Sequence, residues 1–224
     1  MEEPRKTKEA FQIIEQMQRD GVIGKYAIGG AIAAMFYLQA FTTQDLDVFL
    51  DLPKPVGSEI YSLASIYEYL EKRGAKAEGF HINIAGWPVQ FIPPNSALDR
   101  EAIDVAVHVP YEGEQVWIMT AEHLIAISLQ TGRLKDLERI VRFIQQADVD
   151  HSKLRSILDR HDLLKKWKKF ERDYLSKEMN PPEPFRGKLE YRRRMAKASP
   201  ESKMQTIEEL REVGARARRS RRQS

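Results

Sequence analysis

The sequence predicts an α+β fold, in which a mixed sheet flanked by helices is followed by a helical C-terminal region. Short apolar strands alternate with helical patterns over residues 1–118. After that point apolar residues recur only at helical spacing, and a Pro-rich stretch, KEMNPPEPF, precedes a basic end. We therefore predict an α/β domain over 1–118, a helical domain over 119–176, and a Pro-rich hinge with a basic helical tail over 177–224, partly disordered after Gly214.

The elements of the first domain follow from hydrophobic periodicity and from turn residues. Apolar residues at helical spacing predict helices over residues 6–20, 31–38 and 58–73. Short apolar runs predict strands over residues 26–28, 45–52, 80–85, 88–92, 105–109 and 115–118. Ser58 is a candidate N-cap, Pro53 and Pro55 end the second strand, and we expect a long loop around Asp99, Glu101 and Asp104.

The helical domain begins at Thr120, a candidate N-cap. Its apolar residues recur at helical spacing in LIAISLQ, RLKDLERIVRFIQQ, SKLRSILDRH and LLKKWKKFERDYL. Asp150 is expected to cap the third of these helices. In the tail, we predict two short helices separated at Ser199-Pro200.

Composition narrows the class of protein. The 224 residues are 42% hydrophobic and 31% charged, which is typical of a globular protein with a polar surface. No apolar run approaches the roughly 18 residues that a membrane span requires, and the charged start, MEEPRKTKEAFQ, lacks the apolar stretch of a secretory signal. The absence of cysteine excludes disulfides, thiolate zinc sites and a cysteine nucleophile. We expect a cytoplasmic location and no membrane partner.

The net charge of +3 is unevenly distributed along the chain. The segment from Arg186 to the end has thirteen Lys or Arg and five Asp or Glu, so it carries +8 and residues 1–185 carry −5. Such a tail suits binding to a polyanion. A flexible end that keeps the protein soluble would have the same composition. The basic run LLKKWKKF has two similar interpretations: a nucleic-acid or membrane-surface helix, or a helix with a solvated basic face.

Two aspartates, Asp45 and Asp47, follow a glycine pair at Gly29-Gly30. Residues i and i+2 of a strand point to the same face, so the two carboxylates would lie side by side. Their repulsion favours a cation between them, and hard oxygen ligands suit Mg²⁺. Divalent metals of this kind neutralise the charge of a triphosphate in phosphoryl transfer. The alternative is an ordinary glycine turn beside a solvated strand end.

The stretch YAIGGAIAAMFYLQAFTTQDLDVFLDL resembles the nucleotidyltransferase (polymerase beta-like) superfamily, and most closely the AbiEii/AbiGii toxin-type nucleotidyltransferases. The resemblance implies a nucleotidyltransferase-like sheet. It also implies that Gly29, Gly30 and Thr43 bind the nucleotide and that Asp45 and Asp47 are catalytic ligands of Mg²⁺.

Two further positions depart from the pattern of the family. A third carboxylate is usual on a later strand, and the matching position in WPVQFIPP is Gln90, which cannot act as a base. Asp99 or Asp104 is a possible substitute. The helical signature of the toxin-type family matches TAEHLIAISLQTGRLKDLERI at Glu122 and Ala126, but Ser128 replaces its lysine.

The same signature continues at the start of the next helix. The resemblance implies that Arg133 and Lys135 bind the nucleotide and that Asp136 is catalytic. Arg133 or Lys135 would then take over part of the role of the missing lysine as a phosphate contact. The alternative is a plain helix N-terminus at which Asp136 is stabilised by the helix dipole.

The leading hypothesis is therefore a magnesium-dependent nucleotidyltransferase that transfers a nucleotide from an NTP to an acceptor hydroxyl. The resemblance implies an RNA acceptor, such as tRNA, and a bacterial toxin–antitoxin setting with an antitoxin partner. One rival is a catalytically degenerate protein on the same fold that binds a nucleotide or RNA without turnover. A second rival is a small-molecule adenylyltransferase, which would turn over without RNA.

Overall fold

The computed structural model describes residues 6–52, 62–175 and 183–223. Within these ranges the strands form one sheet. They are β1 Tyr26–Ile28, β2 Leu46–Leu50, β3 Lys76–Glu78, β4 His81–Ile84, β5 Trp87–Ile92, β6 Val107–Tyr111 and β7 Glu114–Ile118. The helices are α1 Thr7–Arg19, α2 Gly30–Met35, α3 Ala64–Glu71, α4 Ala97–Asp104, α5 Ala121–Thr131, α6 Leu134–Gln146, α7 His151–Arg160, α8 Leu164–Phe170, α9 Glu183–Ala196 and α10 Pro200–Gln223. A π-helical turn, Glu171–Leu175, extends α8.

The sheet is mixed, with its seven strands in the order β3-β4-β5-β2-β1-β7-β6. In its centre β2 runs antiparallel to β1 and parallel to β5, and β1 also runs parallel to β7. The helices from α5 onward form the C-terminal region. The predicted α+β class, a mixed sheet flanked by helices and followed by a helical region, is confirmed.

Tight turns connect the outer strands. Ala85 and Gly86, between β4 and β5, both have positive φ, at 50° and 81°. Glu112 and Gly113 make the equivalent turn between β6 and β7, at 46° and 84°. Two-residue turns of this kind match the twist of antiparallel strands, and the first joins the strands predicted over residues 80–85 and 88–92.

One prediction about the first domain was wrong. The segment with Asp99, Glu101 and Asp104 is helix α4 rather than a loop. The Ser96 hydroxyl accepts a hydrogen bond from the Asp99 backbone N–H at 3.1 Å, which caps the helix. The buried residues Leu98, Ala102 and Ile103 then give α4 an apolar face. Pro53, Pro55 and Ser58, which were expected to end a strand and to cap a helix, lie outside the described residues.

The hydrophobic core lies between the sheet and its helices. Trp87 on β5 is among the largest fully buried side chains, and its indole N–H donates to the Thr7 hydroxyl of α1 at 3.2 Å. Ile14 and Met17 of α1 are completely buried. This packing fixes β5, and with it the adjacent strand β2, on which the candidate site is built.

Polar contacts join the helical region together. The Asp150 side chain caps α7 by accepting from the Lys153 N–H at 2.9 Å, as predicted. Glu122, buried in α5, accepts from the Asp150 backbone N–H at 3.1 Å and pairs with the Lys153 amine at 3.2 Å. These contacts hold α5 against α7.

The tail forms two helices that contact the rest of the chain. The break between α9 and α10 falls at the predicted Ser199-Pro200 position. Arg193 donates to the Gln145 carbonyl of α6 at 2.7 Å, and Glu201 accepts from the backbone N–H of Glu112 at 3.0 Å. Disorder was expected after Gly214, whereas α10 is described to Gln223.

The predicted Pro-rich hinge, KEMNPPEPF, follows the π-helical turn in the sequence, and its last three residues are part of α9. Residues 177–182 of this hinge lie outside the described ranges. Within those ranges, no helix combines the length and the apolar character that crossing a bilayer would require.

Candidate functional site

The glycine pair at the start of α2 lies directly beneath the carboxylate of Asp47. Gly30 has φ +56°, and a Cβ atom at this position would collide with Oδ2 of Asp47. A Cβ atom on Gly29 would lie 2.6 Å from the ring carbon Cε2 of Phe49. The Gly29 N–H also donates to the Asp47 carbonyl at 2.9 Å. A side chain at either position would therefore displace a side chain of β2, which approaches the turn closely.

The two aspartates lie at the start of β2. Asp47 shares one face of the strand with Phe49, and Leu46 and Val48 are buried on the other. Asp45 precedes the strand by one residue, and the buried Thr43 hydroxyl donates to its carbonyl at 3.3 Å. Alternation along the strand thus turns Asp47 away from the core, as the spacing predicted.

Burial, followed by the negative charge of Asp45, raises the pKa of Asp47 to about 6. The positive charges of Arg139, Lys135 and Arg133 act in the opposite direction. Removing a carboxylate from water disfavours its charged form, and a second negative charge nearby adds to that cost. The site therefore concentrates negative charge at one point and surrounds it with three cations.

Gln90 lies directly beside Asp47. The parallel register of β2 and β5 pairs these two residues, so their side chains project from the same face of the sheet. Gln90 therefore occupies the place at which a third carboxylate would reach the same centre. It offers an amide oxygen there, without charge and without the capacity of a base.

Asp136 occupies the first turn of α6, and its side chain is almost completely buried. Its Oδ2 accepts from the Thr131 hydroxyl at 2.9 Å and from Arg133 Nε at 2.6 Å, and its Oδ1 accepts from Arg139 Nη1 at 3.2 Å. One buried carboxylate thus holds two guanidinium groups at the start of α6.

Arg139 was missed in the sequence. Its side chain is only 16% exposed, whereas that of Arg133 is 63% exposed. The signal in the sequence was the i, i+3 spacing from Asp136, which places two side chains on one helix face. Burial lowers the pKa of Arg139, and Asp136 and Asp47 partly offset that effect.

These groups meet at a cavity of about 460 Å³. Four predicted residues line it: Gly30, Asp47, Arg133 and Asp136. The two positions that depart from the family pattern, Gln90 and Ser128, also line it, together with Phe49, Ile92, Asn95, Asp99, Met119, Leu124, Ile127, Gln130, Thr131 and Arg139. Gly29, Thr43, Asp45 and Lys135 are not part of the cavity wall, although Asp45 and Lys135 influence the pKa of Asp47.

The two proposed substitutes for a third acid differ in position. Asp99 is buried at the cavity wall, where its Oδ2 accepts from the Asn95 backbone N–H at 3.1 Å. Asp104 instead pairs with Lys25 at 2.8 Å on the exposed surface and does not line the cavity. Of the two, Asp99 alone could contribute a charge to this cavity without a rearrangement of α4.

The oxygen ligands at this site suit a Mg²⁺ ion that is also bound by the phosphates of a substrate. Asp45 and Asp47 supply carboxylate oxygens, and Gln90 supplies a neutral one, all hard ligands. Over residues 6–52, 62–175 and 183–223, no three or more His, Cys, Asp or Glu side chains gather as a metal site. Mg²⁺ commonly binds through one or two carboxylates together with substrate phosphates rather than in an all-protein cage.

Comparison with known proteins gives little further information. No protein-family model matches the sequence, and no curated protein matches it. Among solved structures, the chain is similar to an antigenic nucleotidyltransferase-like protein from Paracoccidioides brasiliensis, with 15% sequence identity and a TM-score of 0.45. The alignment covers 74% of this chain and 94% of the other. A likeness of this degree does not assign an activity.

Proposed function

We propose that this protein is a metal-dependent nucleotidyltransferase of the polymerase beta-like type, which transfers a nucleotide from an NTP to an acceptor hydroxyl. The observation that carries the proposal is the position of Asp47: its carboxylate lies against Gly30 and in register with Gln90, in a cavity shared with Arg133 and Arg139. Acidic metal ligands on one side and guanidinium groups on the other match the charge pattern of a magnesium-bound triphosphate.

The reaction exchanges a phosphoanhydride bond of the NTP for a phosphoester bond to the acceptor. The acceptor oxygen bonds to the α-phosphorus while the bond to the β-phosphate oxygen breaks, and pyrophosphate leaves with the bonding pair. The acceptor's proton passes to a nearby carboxylate. Asp99, whose carboxylate also lines the cavity, would receive it, because Mg²⁺ bound by Asp45 and Asp47 would keep those two carboxylates ionised.

Each residue has a distinct role in this proposal. Asp45 and Asp47 would hold Mg²⁺, which when bound neutralises phosphate charge. Gly29 and Gly30 allow the backbone to approach the phosphates, and the buried Thr43 hydroxyl holds the Asp45 backbone.

The cations of α6 would bind the triphosphate. Arg139 and Arg133 are the guanidinium donors, and Lys135 adds a positive charge near Asp47. Asp136 acts through the two arginines as a positioning residue, because Thr131, Arg133 and Arg139 already occupy its oxygens. The sequence resemblance suggested a catalytic role for Asp136 itself. In this proposal that role belongs to Arg133 and Arg139, which Asp136 holds in place.

The identity of the acceptor rests on the sequence resemblance. The toxin-type family implies transfer to RNA, such as tRNA, in a cytoplasmic toxin–antitoxin setting with an antitoxin partner. The basic segment after Arg186 has a charge suited to RNA. The RNA acceptor, the cytoplasmic setting and the antitoxin partner are therefore parts of this proposal.

Gln90 favours a second candidate function, the binding of a nucleotide or RNA without turnover. Its pairing with Asp47 puts a neutral amide where a third carboxylate would act as metal ligand and base. Asp99, the acid at the cavity wall, already accepts a backbone hydrogen bond. A protein of this kind would bind NTP and Mg²⁺ and release the NTP intact.

A transfer assay combined with calorimetry separates these functions. The protein is incubated with each α-phosphate-labelled NTP, MgCl₂ and total RNA, and NTP binding is measured in parallel for the wild type, for Asp47→Asn and for the exposed control Asp148→Asn. Label in RNA that is lost only in Asp47→Asn supports transfer. NTP binding without transfer supports the second function. If the wild type binds no NTP, transfer is wrong, and if it also binds no RNA, the second function is wrong as well.

A further inference from the structure

Helix α8 carries a concentrated positive charge on its outer side. Its four lysines are all exposed: Lys165, Lys166, Lys168 and Lys169. The opposite side of the helix faces the core, where Phe170 is 3% exposed and the half-buried Trp167 ring lies 5.5 Å from the Phe170 ring. The helix is therefore fixed by its apolar face, and the lysine face remains open to solvent.

A hydrogen bond places this lysine face at the rim of the candidate cavity. Lys166 Nζ donates to the carbonyl of Gln130 at 3.1 Å, and Gln130 lines the cavity. Arg133, three residues further along the chain, also lines the cavity and is exposed. The lysines of α8 and the cations at the start of α6 therefore flank the same chain segment.

The chemistry of this surface fits a phosphate backbone. Lysines donate from a compact charge and carry no acceptor, so they bind repeated phosphates without selecting bases. The seven residues of α8 span about 10 Å at 1.5 Å per residue. That length covers about three phosphates at the 3.4 Å axial spacing of a nucleic-acid strand.

A membrane surface fits less well. A helix that binds in the membrane interface inserts an apolar face into the lipid. In α8 that face is occupied, because Phe170 is buried in the core and Trp167 packs against it. Only the charges of α8 remain available to a partner.

We propose that the lysine face of α8 binds the phosphate backbone of a polynucleotide and leads its end into the cavity beside Gln130. This inference deepens the proposed function, because it rests on that function for the transfer step and names where the polynucleotide acceptor lies. Binding of the backbone itself does not require catalysis, so the two can fail separately.

The test uses the triple variant Lys165→Gln/Lys168→Gln/Lys169→Gln, which leaves the Lys166 contact with Gln130 intact. Binding of a labelled single-stranded RNA of about 20 nucleotides is measured by fluorescence anisotropy in EDTA without NTP, between about 50 and 200 mM salt. We expect the Kd to rise at least about tenfold. The slope of log Kd against log salt should fall by about 2, since each lost phosphate contact on a single strand removes about 0.7.

Two matched variants control for charge and for folding. Lys6→Gln/Lys72→Gln/Lys76→Gln removes the same charge from exposed lysines that lie outside the cavity wall and outside the basic tail, and it should bind RNA nearly as the wild type does. Lys165→Arg/Lys168→Arg/Lys169→Arg keeps the charge and should retain binding. Calorimetry on the α8 triple variant should show unchanged NTP binding, which separates this inference from the proposed function.

Three results would overturn the inference. The first is equal loss of RNA binding in both glutamine variants, which would indicate net charge rather than α8. The second is failure of the wild type to bind the RNA. The third is binding to phosphatidylserine vesicles that depends on the α8 lysines while RNA binding does not, which would make the surface a membrane contact.

Discussion

The carboxylate of Asp47 occupies the space into which a side chain at Gly30 would project. The left-handed backbone of Gly30, with φ +56°, is a separate reason for glycine at the same position. The glycine therefore satisfies two demands, one from its own backbone and one from the neighbouring strand. Only the second links the turn to the candidate site.

Gly30→Ala should disrupt the site as well as the fold. The strained φ alone costs about 1–2 kcal/mol, and displacement of the Asp47 carboxylate adds to it, so we expect a loss of about 2–4 kcal/mol in the free energy of unfolding. Binding of NTP with MgCl₂ should also be lost. Chemical denaturation and calorimetry measure the two effects.

Gly21→Ala is the matched control for this change. Gly21 also has a positive φ, at 70°, but no atom of the described residues would lie within 4 Å of a Cβ added there. The free energy of unfolding of this variant should fall only by the backbone cost of about 1–2 kcal/mol, and the variant should keep NTP binding. Equal losses in the two variants, with NTP binding retained in both, would show that the contact between Gly30 and Asp47 is unimportant.

The sequence predicted the parts of this site that depend on local rules. The alternation along β2 puts Asp47 on the face opposite Leu46, because side chains alternate along any strand. The glycine pair was expected to bind the nucleotide, and its contact with the Asp47 carboxylate was not predicted. Alternation along a strand needs only a few neighbouring residues.

The rest of the site depends on tertiary packing, which periodicity does not encode. The pairing of Gln90 with Asp47 requires β5 to lie parallel to β2, a choice made by the whole sheet. Asp99 lines the cavity because α4 is a helix, and the capping by Ser96 that begins it was not recognised. Arg139 resembles any surface charge in the sequence, because its burial depends on the buried position of Asp136.

Asp47→Asn should stabilise the protein at neutral pH while abolishing the proposed nucleotide transfer. The folded-state pKa of Asp47, about 6, lies above the unfolded value of 3.8. The folded state therefore binds the proton more tightly, and stability falls as the pH rises from about 4 to 6. One pKa unit corresponds to about 1.4 kcal/mol, so removal of the charge should add about 3 kcal/mol above pH 6 and almost nothing below about pH 4.

Thermal unfolding at several pH values tests this expectation. The exposed control Asp148→Asn should shift stability by less than about 0.5 kcal/mol at every pH. A gain in Asp47→Asn that is the same at all pH values would contradict burial of a charged carboxylate at this position, as would a loss at neutral pH.

Gln90→Glu should make the site dependent on Mg²⁺. The new carboxylate would lie beside Asp47 in the parallel register, and like charges at that distance repel. Without metal we expect a loss of about 1–2 kcal/mol in stability. Millimolar MgCl₂ should restore the melting temperature, and any transfer activity should increase because a third acid is present.

Gln130→Glu is the control for Gln90→Glu, since Gln130 also lines the cavity but is not paired with Asp47. Its melting temperature should respond less to MgCl₂. If the two variants respond equally, the effect comes from charge in the cavity and not from a shared metal centre. If Gln90→Glu gains no response to MgCl₂, Asp47 and residue 90 do not form a cation site together.

Glu101 connects α4 to two helices of the C-terminal region. Its carboxylate accepts from Arg160 Nη2 at 2.5 Å and lies 2.6 Å from His161 Nε2, both at the end of α7. It also lies 3.3 Å from Nε2 of the buried His123 of α5, whose Nδ1 lies 2.8 Å from the Thr120 hydroxyl. This cluster is a polar junction that joins α4 to α5 and to the end of α7.

Glu101→Gln should therefore lower stability in a pH-dependent way. The bond from Arg160, with smaller contributions from His161 and His123, lowers the pKa of Glu101 to about 2 from 4.5. A lowered folded-state pKa gives stability that is complete above about pH 5 and is lost as the pH falls from 4.5 towards 2. Because the carboxylate is partly exposed, we expect a loss of about 1–2 kcal/mol at neutral pH. Denaturation curves should show this difference shrinking below about pH 4, while the exposed control Glu68→Gln changes little at any pH. A Glu101→Gln loss that persists undiminished at about pH 3 would mean that the junction depends on packing rather than on the charge of Glu101.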